Sequence, residues 1–237
     1  MATDWRGRFV WYELMTTDPT AAKDFYTKVV GWGTQDWEGS TPQYSMWTRG
    51  ETPVGGLMQL PEEARKGGAP PHWLAYVAVP DVDATVEQAK GMGAMVYVPP
   101  TDIPEVGRFA VLADPQGATF AVFRSEAHED MPDNSPQVGD FSWHELLTTN
   151  QEAAFRFYTT LFGWQKTTAM DMGPMGVYQM YGVPGRELGG MFNKPPDMPA
   201  PPHWMLYVKV DDINQATERV KSAGGQILNG PMEVPGG

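Results

Sequence analysis

Trp11–Trp32 reads WYELMTTDPTAAKDFYTKVVGW, and Trp143–Trp164, 132 residues later, reads WHELLTTNQEAAFRFYTTLFGW. Twelve of those 22 positions are identical. A second pair follows at an offset of 131: Pro70-Pro71-His72-Trp73 ahead of Tyr76-Val77, and Pro201-Pro202-His203-Trp204 ahead of Tyr207-Val208. A repeat of this length constrains architecture before any other signal does. Each copy must fold the same way, and chemistry that both copies need must appear in both.

Each copy also divides within itself. An Asx residue opens a segment at Asp18, Asp81, Asn150 and Asp212, and Gly31, Gly93, Gly163 and Gly224 close those segments 12 or 13 residues later. Asp or Asn caps a helix N-terminus by accepting a backbone N–H. Apolar residues then fall at helical spacing, as at Ala22, Phe25, Tyr26 and Val29. The glycine permits the left-handed turn at the helix end. Strand-like runs precede each cap: Phe9–Leu14, Trp73–Val79, Phe141–Leu147 and Trp204–Val210. Further strand-like runs follow each glycine, such as Gln43–Trp47, Met95–Val98, Arg108–Leu112, Thr119–Phe123 and Val177–Tyr181. The unit is a strand and a helix followed by two or three strands, and it recurs four times in an α+β protein.

Pro- and Gly-rich stretches separate the units at Pro61–Pro71, Pro195–Pro202 and the acidic Glu126–Gly139. The expected organisation is a first domain over 1–125, with modules of about 8–60 and 72–124, a linker over 126–139, and a second domain over 140–237. Copy one continues through Asp114-Pro115-Gln116-Gly117 and a last strand, whereas copy two stops at Val234-Pro235-Gly236-Gly237. The second domain is therefore expected to lack about two strands, and the natural chain to run on further.

A net charge of −12 argues against nucleic acid, whose affinity comes largely from Lys and Arg on phosphates, and against an anionic membrane surface. No apolar run approaches the length of a membrane-spanning helix, and the first residues do not form a signal peptide. The absence of cysteine excludes disulfides, thiol nucleophiles and thiolate ligands. These features lead to an expectation of a soluble, cytoplasmic protein that binds a small molecule.

Asp18, Phe25-Tyr26, Gly31 and the Asp114-Pro115-Gln116-Gly117 hairpin resemble the vicinal oxygen chelate superfamily: glyoxalase I, the bleomycin-resistance proteins and the extradiol dioxygenases. The resemblance covers nearly the whole chain. It implies four βαβββ modules paired into two glyoxalase-like domains with cupped, mixed sheets, and two related clefts. One fold of this kind carries many chemistries, so function must be argued from the site. In single-domain relatives two subunits pair, so the resemblance implies either a monomer with intrachain domain pairing or a homodimer. The positions where metal-using members keep ligands correspond to Trp11, Leu74, Ala121, Trp143 and Met205, none of which binds a divalent metal.

Strand alternation puts Glu13 on the face of Trp11 and Glu145 on the face of Trp143. Either Glu could be a general base if burial raises its pKa, or could orient a polar group of a ligand. Trp11 and Trp143 are candidate aromatic walls. Met46, Met58, Leu74, Met191 and Met205 complete the expected apolar lining. An alternative is a displaced site for one divalent metal built from Glu13, His72, Glu145 and His203. His144 alternates to the other face, and a structural role is expected for it. The Gly55-Gly56 and Gly189-Gly190 pairs mark strand bends or a close approach of backbone.

The favoured reading is a small-molecule binder, for an aromatic or antibiotic-like ligand, with no metal or other cofactor. The alternatives are a lyase, isomerase or oxygenase-like enzyme using Glu13 and Glu145, with or without a divalent metal, and a non-catalytic scaffold.

Overall fold

The computed structural model describes residues 5–38, 40, 43–127 and 135–234. In chain order they form β1 (Phe9–Thr16), α1 (Pro19–Val30), β2 (Gly33–Asp36), β3 (Tyr44–Arg49), β4 (Thr52–Gln59), α2 (Glu62–Lys66) and β5 (His72–Ala78). There follow α3 (Val82–Gly91), β6 (Met95–Ile103), β7 (Gly107–Ala113), β8 (Thr119–Ser125) and β9 (Phe141–Thr148). The remainder is α4 (Gln151–Phe162), β10 (Gln165–Asp171), a 3-10 turn at Gly173–Met175, β11 (Val177–Val183), β12 (Arg186–Asn193), β13 (His203–Val208) and α5 (Ile213–Ser222). The result is an α+β fold with two mixed sheets. One has eight strands in the order β2-β3-β4-β1-β5-β8-β7-β6, the other five in the order β10-β11-β12-β9-β13.

The four caps act as the sequence requires. Asp18, Asp81 and Asn150 accept from the N–H of Ala21, Ala84 and Ala153, and Asp212 accepts from Asn214 and Gln215. Gly31 and Gly163 close α1 and α4 in the left-handed conformation, at φ 88° and 73°. In α3 and α5 the cap falls earlier, on Met92 and Ala223, with the left-handed glycine one residue further on.

Two elements differ from the sequence reading. A short helix, α2, occupies the Pro61–Pro71 connector, with Glu62 and Glu63 in its first turn and Arg65 and Lys66 in its last. Those charges complement the helix dipole. β6 runs on from Val98 to Ile103 through Pro99 and Pro100. It is an edge strand, where proline's missing N–H is tolerated, and its pairing with β7 shifts register between Val98 and Thr101. No strand follows α5 among the described residues. Residues 128–134 of the expected linker, and 235–237, lie outside the described residues.

The chain packs into two compact units. Unit one holds Met1–Tyr12, Leu74–Asn134 and Trp143–Tyr207; unit two holds Glu13–Trp73, Ser135–Ser142 and Val208–Gly237. Each takes pieces of both sequence copies. The repeat specifies modules, and tertiary packing decides which modules share a core.

In unit one the core joins Val82, Val86 and Ala89 of α3, Phe155, Tyr158 and Phe162 of α4, and Leu112, Phe120 and Val122 of the sheet. The resemblance motifs meet here. Asp114 is buried and accepts from the N–H of Gln116 and Ala118 and from the Tyr158 hydroxyl at 3.0 Å. Tyr158 in turn accepts from Trp204 Nε1 at 3.2 Å. Unit two has an equivalent pair, Trp73 Nε1 donating to the Tyr26 hydroxyl at 2.9 Å. Around it pack Trp32 and Trp47, both fully buried, and helices α1 and α5 lie against each other. The indoles also reach back across the repeat. Trp164 Nε1 donates to Gly7 O within unit one, and Trp32 Nε1 donates to the equivalent Gly139 O within unit two, both at 2.7 Å.

Candidate functional site

β9 is the first strand of copy two, and its pairing sets the site in unit one. Glu145 lies opposite Gly190 of β12, and Gly190 lies opposite Met180 of β11. Alternation then places Trp143, Glu145 and Leu147 on one face, and His144 and Leu146 on the other. Gly190 lets this face close up. A Cβ there would collide with the Tyr178 ring, so the ring lies on the strand. From that seat the Tyr178 hydroxyl accepts from Trp143 Nε1 at 2.8 Å and donates to Glu145 Oε2 at 2.8 Å. Tyr207 of β13 donates to Glu145 Oε1 at 3.2 Å.

The four side chains form one chain of hydrogen bonds ending on a carboxylate. Burial raises the Glu145 pKa, and the bonds from Tyr178 and Tyr207 and the proximity of His203 hold it back. Burial also pushes the Tyr207 hydroxyl up to about 12, with the Glu145 charge acting in the same direction. Tyr178 is raised too, first by burial and then by Glu145. Both phenols therefore stay protonated donors at neutral pH. Met205 and Tyr207 are exposed, at 38% and 41%, so this face remains accessible beside Glu145.

Unit two repeats the layout. Glu13 of β1 lies opposite Gly56 of β4, and Gly56 opposite Met46 of β3. Met58 pairs with Met15 on one side and Tyr44 on the other, so Met46, Met58 and Glu13 share a face. The Tyr44 ring sits on Gly56 as Tyr178 sits on Gly190. Glu13 is more enclosed, at 8% exposed.

The other expected residues divide. Trp143 and Met205 lie on the Glu145 side of their strands. Trp11 is half-buried, two residues before Glu13 on β1. Leu74 is enclosed at 1% exposed. Met191 is not on the Glu145 face: it pairs with Leu146 and is fully buried in the unit-one core, because it is one residue out of phase with Gly190. His144 is buried on that same opposite face, as its alternation requires.

His72 and His203 each hold Nδ1 near the carbonyl of the proline two residues earlier, Pro70 at 2.7 Å and Pro201 at 2.8 Å. Among the described residues no group of three or more His, Asp or Glu side chains gathers to hold a metal ion. The set Glu13, His72, Glu145 and His203 therefore does not assemble into a ligand cage. The superfamily's ligand positions carry indole, alkyl and thioether groups, which offer no suitable donor set. Among the described residues, neither place brings three metal-binding side chains together.

The close backbone approach expected of the glycine pairs is met at Gly189, which faces the His144 carbonyl; sequence reasoning missed Tyr178 and its seat on Gly190. The signal was present: Tyr44 and Tyr178 recur at an offset of 134, each followed twelve residues later by the second glycine of a pair. Tyr207 stood inside the second repeat, next to Val208.

Residues 8–122 and 141–237 match the family described as the glyoxalase/bleomycin resistance protein/dioxygenase superfamily, and the chain belongs to that superfamily. The putative glyoxylase CFP32 of Mycobacterium tuberculosis is 34% identical over 227 residues, covering 95% of this chain and 85% of CFP32. The anthracycline biosynthesis protein DnrV of Streptomyces peucetius is 28% identical over 243 residues, covering 98% of this chain and 87% of DnrV. Among solved structures, the Mn(II)-bound glyoxalase from Novosphingobium aromaticivorans has a TM-score of 0.56 at 19% identity, over 93% of this chain and 71% of its own. The 2,2',3-trihydroxybiphenyl 1,2-dioxygenase from Sphingomonas wittichii has a TM-score of 0.61 at 13% identity, over 95% of this chain and 81% of its own. These two share the fold. No helix is long and apolar enough to cross a membrane among the described residues.

Proposed function

We propose that this protein binds a small aromatic ligand against the Glu145 face, with Glu145 accepting a hydrogen bond from it and no divalent metal taking part. The observation that carries the reading is the Trp143–Tyr178–Glu145–Tyr207 chain, built at a position where the superfamily's metal users keep a ligand. Apolar surface and indole supply the affinity, and one oriented carboxylate supplies the polar recognition. The relatives named for anthracycline biosynthesis agree with a planar aromatic ligand.

Tryptophan fluorescence titrated with 2-naphthol tests this. Saturable quenching that survives exhaustive chelation is expected. Glu145→Gln weakens binding about tenfold, because a hydrogen bond to a charged group contributes ~1.5–3 kcal/mol. Binding that vanishes on chelation and returns with stoichiometric metal overturns the reading.

A second reading treats Glu145 as a general base in a lyase, isomerase or oxygenase-like reaction. Its support is the upward pKa shift from burial, which brings a carboxylate closer to the operating range of a base. Unchanged turnover in Glu145→Gln, once a substrate is in hand, removes it.

A further inference from the structure

We propose that Tyr178, seated on Gly190, is a positioning residue that fixes the Glu145 carboxylate, and that Tyr44 on Gly56 serves Glu13 in the same way. The inference rests on the ligand-binding reading of the Glu145 face and names the residue that tunes it.

Three observations converge. First, β12 offers two glycines in a row for two different reasons. A Cβ at Gly189 would meet the His144 carbonyl and the Tyr181 hydroxyl, so its absence lets β12 pair closely with β9. The three heavy atoms nearest a Cβ at Gly190 would all belong to the Tyr178 phenol. The second glycine therefore serves the tyrosine, because strand pairing alone does not require it. Second, the seated hydroxyl is held from both ends, as acceptor from Trp143 and donor to Glu145, each at 2.8 Å. A phenol bound on both sides cannot rotate away, and it consumes one lone-pair direction of Oε2. Tyr207 consumes one direction of Oε1 through a longer bond from an exposed side chain. What remains of the ionised carboxylate accepts hydrogen bonds only. Third, copy one repeats the seat: Glu13 lies opposite Gly56, with the Tyr44 ring on Gly56.

Such a carboxylate discriminates between ligands. It favours a ligand that brings an O–H or N–H donor, and disfavours one that brings an anion or a bare acceptor. Without the Tyr178 hydroxyl the carboxylate can turn to suit either, so affinity for a donor falls while affinity for a non-donor stays.

The test uses the full chain with 15N-labelled tryptophan and two probes, 2-naphthol and 2-methoxynaphthalene, which differ only in the donor. Trp143→Phe identifies the Trp143 indole resonance. In Tyr178→Phe, which keeps the ring on Gly190, that resonance is expected to shift and its N–H to exchange faster with water. The naphthol-over-methoxynaphthalene preference, about tenfold in the parent, is expected to fall toward one, with methoxynaphthalene affinity within a factor of two. Gly190→Ala is expected to give the same loss; Gly56→Ala is expected to remove the preference at the copy-one site only, halving the number of donor-selective sites. An unmoved Trp143 resonance overturns the positioning role whatever the probes do. A resonance that moves while both probes weaken together also overturns it, because a merely structural tyrosine would act so. If neither probe binds the parent protein, the ligand-binding reading fails, and the resonance alone judges the geometry.

Discussion

At His144 both ring nitrogens are committed. Nδ1 lies 2.7 Å from Leu188 O and so carries the proton, leaving Nε2 to accept from the Tyr12 hydroxyl at 2.6 Å. The Phe9 ring stacks on the imidazole at 3.7 Å. Burial pushes the pKa from 6.5 to about 4. The folded ring therefore stays neutral while an unfolded chain takes up a proton near pH 6.5. Stability from this group is complete above pH 6.5 and is lost as pH falls toward 4. The full window is worth on the order of 3 kcal/mol. Denaturant midpoints measured from pH 7 to 4 are expected to fall, and His144→Gln, which cannot titrate, to show a flatter profile. Tyr12→Phe leaves a buried acceptor unsatisfied and is expected to cost ~1–3 kcal/mol in the same assay. Alternation along β9 was enough to place His144 away from Glu145 in the sequence. Its partner was not legible, because Tyr12 is 132 residues away and nothing in one strand's pattern names what packs on it.

Elements show a sharper division between local and tertiary causes. All four long helices were legible from an Asx residue, an apolar stripe and a glycine, since each signal acts within one or two turns. The path of β6 through Pro99-Pro100 was not, because only its edge position in the sheet makes two prolines tolerable. Met191 was misplaced for a related reason: the strand was recognised, and its phase was set by pairing with β9. Glycines test the distinction. Gly31 has φ 88° and open space around it, so Gly31→Ala is expected to cost only the left-handed strain, ~1–2 kcal/mol. Gly189→Ala drives a Cβ into the His144 carbonyl, which neither backbone can yield without breaking the β9–β12 ladder. It is expected to lower the Tm far more than Gly31→Ala, or to abolish soluble expression.

At the scale of the whole molecule, each packed unit draws on both copies of the repeat. Residues up to Tyr12 share a unit with 143–207, and 13–73 share one with 135–142 and the C-terminal segment. A fragment of 140–237 lacks α3 and β5–β8, which supply half of the core around Phe155 and Tyr158. Expressed separately, 1–125 and 140–237 are expected to give weak near-UV circular dichroism and fast amide exchange. Co-expressed, they are expected to recover the signal of the intact chain. Two fragments that each fold alone, with full protection, would show that the units are separable along the sequence. The repeat revealed the number and kind of modules because it is written in local pattern. It could not reveal their partition, because sister copies present equivalent faces and only the assembled core chooses between them.

The bond from Trp164 Nε1 to Gly7 O spans 157 residues, and that from Trp32 to Gly139 spans 107. During synthesis the Gly7 carbonyl must therefore wait for Trp164 to leave the ribosome before its indole partner exists. Each unit therefore closes only after segments from both copies have emerged. β1 itself can pair with β4 and β5 as soon as they emerge, so chains stalled before Trp164 should be more open to protease around Gly7, but not along β1, than chains that extend past it.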